Sequence, residues 1–322
     1  MAHATTVTAN ALARVLDAAR GDLTSRWARA YEGQLRAIHR ARVASRRCRE
    51  VLAVVSDVVP RTHADELRRE IRRITRALGP VREIDVAIDV LRTTGAIHAR
   101  PTEEIERLQA QLERLRARRR TAMRARLSDI DTSWLQSHGD HVVAELERTA
   151  ATDTAWRRIL GQRVSRRAAN LEGAMASCGT LYIPDRLHAV RLAVKKLRYA
   201  LEVAKAAGQR DLGRPLSGLH RAQREFGHLH DVQMLVEFLR NMTAPRRRTA
   251  DGQKATSLID LLERDCRGLH ARILKRFGAL EDLARTAAAT GRLMQRSTRP
   301  TAAKVTELRR SHPPATAERR RG

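Results

Sequence analysis

Apolar residues recur at spacings of three and four from about residue 10 to residue 292, the period of helices that bury one face. β-Branched runs are few, and glycine and proline are scarce, so the pattern predicts an all-α protein. A long amphipathic stretch runs from Asp22 to Val59 and stops at Pro60. A second runs from Thr62 to Leu78, where Gly79-Pro80 is expected to break or kink it, because proline lacks an amide donor and its ring crowds the preceding turn. "REIDVAIDVLRTTG" reads as a third helix, ending at Gly95. A very long helix begins near Pro101, with Glu103 and Glu104 in the first turn where the helix dipole favours acids. It continues to about Leu127, and "SWLQSHGDHVVAELERTA" keeps the helical period.

The same order then starts again. "WRRILGQRVSRRAANLEGAMAS" leads to a break at Gly179, and Pro184-Asp185 opens the next helix. "LSGLHRAQREFGHLHDVQMLVEFLRNM" follows, with a break at "TAPRRRTADG" and two last helical segments at roughly 251–277 and 279–292. Residues 293–322 lose the apolar period, gain prolines and stay basic, so this tail is expected to be disordered.

The recurrence extends to individual residues. Displaced by 149, His39, Arg42, Ala44, Arg46, Arg47, Arg49 and Leu52 fall on His188, Arg191, Ala193, Lys195, Lys196, Arg198 and Leu201. Displaced by 148, "LGPVREIDVAIDVLR" falls on "FGHLHDVQMLVEFLR", matching Gly79 to Gly227, Glu83 to Asp231 and Arg92 to Arg240. Two blocks in one order at nearly one spacing indicate a duplicated helical unit, repeat one over about 10–150 and repeat two over about 151–292. The period is too long for a solenoid. Two similar bundles packed about a pseudo-twofold axis, forming one domain over 1–292, is the simpler reading.

Composition narrows the chemistry. Hydrophobic residues make up 42% of the 322 residues but aromatics only 3%, so the core must be aliphatic. Lys plus Arg number 63 against 36 acids, a formal net charge of +27. Such a field attracts polyanions: nucleic acid, anionic lipid surfaces or inorganic polyphosphate. An Arg- and Ala-rich genome accounts for part of the arginine count, but not for so large an uncompensated charge. The cysteines Cys48, Cys178 and Cys266 are too far apart for a zinc site or a disulfide framework, which fits a reducing cytosol. No apolar run approaches a membrane span, and the N-terminus lacks a signal-peptide core. A soluble, cytoplasmic protein is expected.

At about 100° per residue, His39, Arg42, Arg46 and Arg49 form one narrow stripe, and His188, Arg191, Lys195 and Arg198 form the same stripe in the second copy. Like charges four residues apart on a helix cost a few tenths of a kcal/mol per pair. No acid is expected to neutralise either stripe, Glu50 and Glu202 being assigned to other parts of their helices. A solvated face normally mixes signs, as "EEIERLQAQLERLR" does. An unmixed cationic stripe, written twice, calls for an anionic partner, and arginine suits phosphate through paired, charge-assisted hydrogen bonds. The neighbouring helices extend the field with Arg68, Arg72, Arg73 and Arg76 in one copy and His220, Arg221 and Arg224 in the other. Arg82 and His230 follow the repeated glycines. Glu83 and Asp231 either hold these basic groups in position or form ordinary inter-helix ion pairs.

"HRARVASRRCREVL" and "HAVRLAVKKLRYALEV", each followed by "LGPVREIDV" or "FGHLHDVQML", resemble the two signature repeats of the CHAD family, the conserved histidine α-helical domain. The resemblance covers about residues 10–290. It implies two pseudo-symmetric four-helix bundles with a basic surface or central channel between them, binding of inorganic polyphosphate and, for some members, location on polyphosphate granules. Carried over by position, the implied ligands are His39, Arg42, Arg46, Arg47 and Arg49, with His188, Arg191, Lys195, Lys196 and Arg198. Tyr199 joins them, with Glu50 at its matching position. Arg72, Arg76, Arg82, Arg221 and Arg224 complete the candidate polyphosphate site. Cys48 stands where the second copy has the more typical Leu197. The triphosphatase-type domain of the CYTH kind that accompanies many members is not expected within these residues, since no strand-borne E-x-E-x-K occurs.

Enzyme signatures are otherwise missing: there is no G-x-x-x-x-G-K-[ST], G-x-S-x-G or G-x-G-x-x-G. His138, Asp140, His141 and Glu145 could be read as a metal cluster, but Gly139 between them points to a loop or helix irregularity with a surface role. "HLHD" at 228–231 is discounted in the same way. Trp27, Trp134 and Trp156 read as packing anchors, too few to form the stacking platforms of single-strand binders. The sequence therefore predicts a non-enzymatic polyphosphate binder with no cofactor and no metal. A chromatin-like nucleic-acid-binding protein is the alternative, and nucleic acid is expected as a weaker competitor.

Overall fold

The structure, a computed structural model, describes residues 7–57, 61–149, 151–243 and 250–296. Those residues fold into eleven helices: α1 (Val7–Thr24), α2 (Trp27–Tyr31), α3 (Leu35–Val55), α4 (Arg61–Ile97), α5 (Thr102–Leu127), α6 (Thr132–Arg148), α7 (Asp153–Cys178), α8 (Pro184–Ala206), α9 (Gly213–Thr243), α10 (Ala250–Leu274) and α11 (Phe277–Arg296). No strand occurs among them.

The amphipathic pattern positions each signature helix. In α3, Ile38, Ala41, Cys48, Val51, Leu52 and Val55 are fully buried, and the spacing of three and four leaves the cationic stripe on another face. In α8, Leu187, Val190, Val194, Leu197, Leu201 and Ala204 do the same. Pro184 sits in the first turn of α8, where its missing amide donor costs nothing. Gly179, with φ of 63°, ends α7.

Two sequence expectations are corrected. The stretch from Asp22 to Val59 is not one helix: α1 begins as early as Val7, and the chain turns through α2 and Gly33 before α3. Gly33 has φ of 88°, a conformation that only glycine adopts readily. The carbonyls thus exposed are occupied, Tyr31 by Arg124 Nε at 3.1 Å and Glu32 by Arg124 Nη2 at 3.0 Å. Conversely, Gly79-Pro80 does not end a helix, since α4 runs through it. Pro80 removes one helical hydrogen bond, at a cost of roughly 3 kcal/mol. Buried Ile74, Ala77 and Leu78 before it and Val81, Ile84 and Leu91 after it hold both segments against the core.

The helices close into two rings. In the first, α1 packs on α3, α3 on α4, α4 on α6 and α6 on α1, with α5 laid against α4. In the second, α7 packs on α8, α8 on α9, α9 on α11 and α11 on α7, with α10 laid against α9. The rings meet where α4 touches α9, α3 touches α8, and α1 touches α7 and α8. The core is aliphatic, with Trp156 the largest fully buried side chain. Residues 293–296 of the expected tail form the last turn of α11, and the rest of the tail lies outside the described residues. Among the described residues, no helix is long and apolar enough to cross a membrane.

Candidate anion-binding site

Because α3 meets α8 and α4 meets α9, the two stripes are brought to the same seam. Arg42 and Arg46 of α3 lie close enough to Arg191 and Lys195 of α8 for their charges to oppose one another across it. All four side chains are half-buried, and among the described residues none has a carboxylate within ion-pair distance. Burial first, and then the charges of Arg46, Arg191, Arg42 and Arg198, push the Lys195 ammonium down to about 7. Burial and Arg46 bring Arg42 down to about 10. Arg191 is lowered for the same reason, chiefly by burial.

Gly79 belongs to this arrangement. A Cβ there would lie 2.8 Å from Arg42 Nη1, so glycine opens the path along which the guanidinium crosses α4. Arg42 Nη1 donates to the Thr75 carbonyl at 3.4 Å, which anchors one edge of the fork and leaves the other donors available. The matching Gly227 has open space around it, so its recurrence has no such cause.

Histidines flank the quartet. His39, at the exposed edge of the seam, is lowered by the partial burial of its ring and then by Arg82, Arg46 and Arg42. His188 is lowered by burial and by Arg191. His230 of α9 lies beside it, ring centroids 4.9 Å apart, and burial together with Arg191 and His188 pushes it down to about 4. All three rings are thus mainly neutral near pH 7 and able to gain protons when an anion arrives. His230 falls outside the stripes and the carried-over ligands; its signal in the sequence is that it occupies the position of Arg82. Glu83 and Asp231 supply the nearby negative charge: Glu83 acts on both Arg42 and Arg191, and Asp231 on Arg191. Both stand beyond ion-pair distance, so they balance the field without occupying the guanidiniums.

The remaining candidates divide. Arg82 is half-buried and joins the seam to a cavity of about 500 Å³ lined also by His228, Asp231, Arg264 and Arg272, the last two brought by α10. Arg49 lies at the far end of the first stripe, facing Arg72 and Arg68. Arg76 and Arg224 are exposed, with no contact binding them to the stripes. Lys196 is likewise exposed, adjacent to the stripe.

Three placements correct the sequence reading. Arg198 is not an open cation: it is buried, ion-paired to Glu202 four residues on, donates to Gln223 Oε1 at 2.6 Å and covers the Tyr199 ring at 4.2 Å. Arg47 and Tyr199 line a separate cavity of about 410 Å³ with Asp22, Glu50 and Glu202, whose carboxylates make it a poor phosphate site. Arg221 lines a small groove with Glu225, Phe226, Arg276 and Phe277, on the side of α9 that faces α10 and α11. Glu50, assigned off the stripe from the sequence, is held by Arg163 of α7 at 3.1 Å.

The model of the CHAD domain matches residues 14–240. Among solved structures, the crystal structure of the CHAD domain from the plant Ricinus communis is 20% identical, with a TM-score of 0.63 over 85% of this chain and 94% of that one. PptA from Streptomyces chartreusis is 17% identical, with a TM-score of 0.56 over 90% of this chain and 99% of that one. At these identities the likeness is one of fold. No curated protein matches the chain.

Proposed function

We propose, from the premise that this chain belongs to the CHAD domain family, that it binds inorganic polyphosphate without transforming it. The family is associated with polyphosphate, and one observation carries the reading to these residues: Arg42, Arg46, Arg191 and Lys195 confront one another at the seam with no carboxylate in ion-pair distance. A half-buried cation is incompletely hydrated, and its charge-assisted hydrogen bonds to phosphate oxygens are correspondingly strong. A linear phosphate chain is thin and flexible enough to lie along the seam, from Arg82 and His39 at one end, across the quartet, to the open end at Arg49 and Arg72. Nucleic acid carries the same charge but brings bulky bases, and the seam offers no aromatic platform for them.

This reading assigns no catalytic residue. Glu83 and Asp231 tune the field, and the histidines accept protons as phosphate charge enters. The two rings are read as descendants of one duplicated unit, supported by the shared offset and by the same pairing order. We further take the protein to be cytoplasmic and able to associate with polyphosphate granules. The test is competition at physiological salt among long-chain polyphosphate, duplex DNA and RNA. Polyphosphate is expected to displace both nucleic acids. The reading fails if DNA wins, or if deleting residues 293–322 weakens binding more than alanine at the quartet.

A further inference from the structure

The first ring carries a side-chain cluster that has no counterpart among the described residues of the second. On α4, His63 and Glu66 are three residues apart, and on α6 so are His138 and His141, so each pair shares a helix face. Where α4 packs on α6, one ligand atom from each of His63, Glu66 and His138 lies within 4.8 Å of the others. Glu66 Oε2 stands 3.7 Å from His138 Nε2, too far for a hydrogen bond. The His63 ring stacks on His141 at 5.2 Å and meets His138 edge-on at 5.5 Å.

The nitrogens are oriented for a ligand. His138 Nδ1 lies 3.2 Å from the Trp134 carbonyl, and His141 Nδ1 2.7 Å from that of Ser137. A carbonyl only accepts, so both Nδ1 atoms carry the proton, and in the neutral rings both Nε2 atoms keep a lone pair. This is the backbone support that fixes metal-binding imidazoles. Trp134 stacks on the His138 ring at 3.8 Å and sets its plane. His63 Nδ1 is buried with no hydrogen-bond partner, an unmet polar atom inside the cluster.

All three side chains are partly withdrawn from solvent. Taking such groups from water is costly unless something satisfies them.

We propose that His63, Glu66 and His138 bind a divalent transition metal, zinc by the donor set. Two imidazoles and one carboxylate are common zinc ligands, with water at the fourth position. Metal–ligand distances of about 2.0–2.2 Å put tetrahedral ligand atoms roughly 3.3–3.6 Å apart, so side-chain rotations of an ångström or so close the site. The ion staples the start of α4 to α6. It lies about 28 Å along α4 from Arg82 and is separate from the anion seam.

The test is titration of tag-free protein with Zn²⁺, and with Co²⁺ as a spectroscopic reporter. Wild type is expected to bind a single equivalent, to melt at higher temperature with zinc, and to show the absorption of low-coordinate cobalt. His138→Ala and the conservative Glu66→Gln should each weaken zinc at least about tenfold, whereas His98→Asn, outside the cluster, should not. His63→Leu removes one ligand and leaves an apolar side chain; if it fails to fold, Glu66→Gln still decides. The proposal is overturned if wild type takes up no stoichiometric zinc, or if zinc binding survives undiminished in both His138→Ala and Glu66→Gln.

Discussion

The far ends of the two stripes part company. Arg49 and Arg198 are equivalent in the repeat, yet Arg198 is sealed by Glu202, Gln223 and Tyr199, whereas Arg49 faces Arg68 and Arg72. The difference traces to single residues. Glu202 corresponds to Ala53 and Tyr199 to Glu50, so the first copy has no acid to close Arg49, and the acid it has is taken by Arg163. The same backbone register thus yields an anchored end on α8 and an open one on α3. The middles, Arg42 and Arg46 against Arg191 and Lys195, stay alike. A phosphate chain in this seam should make shared contacts at the centre and leave along the first copy.

Several variants would break or sharpen this contrast. The largest effect is expected from alanine at Arg42, Arg46, Arg191 and Lys195 together. Each charge-assisted bond contributes about 1.5–3 kcal/mol, so polyphosphate affinity should fall by at least about a hundredfold, and the salt dependence should flatten as fewer phosphates are neutralised. Equilibrium binding across a salt series measures both.

The pH response comes next. The free protein holds Lys195 at about 7, and bound phosphate should return it toward the ordinary lysine range. Binding then takes up a proton above pH 7. Affinity should fall with rising pH above about 7 by up to about tenfold per unit, and should go on rising below pH 7 as the seam histidines take up protons on binding. Calorimetry in buffers of different ionisation enthalpy reads the proton directly.

The stripe ends should separate in kind. Arg49→Ala is expected to lower affinity by about tenfold, one charge-assisted contact, with little change in melting temperature. Arg198→Ala should instead destabilise the fold by leaving Glu202 with only His220 at 3.4 Å and Gln223 Oε1 without its donor, while shifting affinity less. Thermal melts alongside binding distinguish the two.

A smaller effect should appear without any ligand. A lysine whose folded pKa is depressed costs stability that grows as pH falls from the unfolded value toward the folded one, here from 10.5 to about 7. At neutral pH the cost is on the order of 4 kcal/mol. Lys195→Met should therefore stabilise the free protein by ~1–3 kcal/mol at pH 7 and lose that advantage near pH 10, while weakening binding. Chemical denaturation at the two pH values measures it.

What the sequence made legible follows from what is local. Helical period, the Gly179 break and Pro184 at a helix start need only neighbouring residues, and the duplicated stripes are visible as text. The stop expected at Pro80 fails because packing on both sides of it holds α4 continuous. The Arg198–Glu202 pair is an ordinary spacing of four, and the expectation of an unpartnered stripe overlooks it. The confrontation of Arg42 and Arg46 with Arg191 and Lys195 depends on how two rings dock, and the meeting of His63 with His138 on which helices close a ring; neither is written in any local spacing.

The central claim is that two stripes make one site. Binding stoichiometry with a short polyphosphate, measured for Arg42→Ala/Arg46→Ala and for Arg191→Ala/Lys195→Ala, tests it most directly. A shared site predicts one bound chain per protein in wild type and in both variants, with affinity lowered in each. Two bound chains in wild type, falling to one of unchanged affinity in either variant, would contradict it.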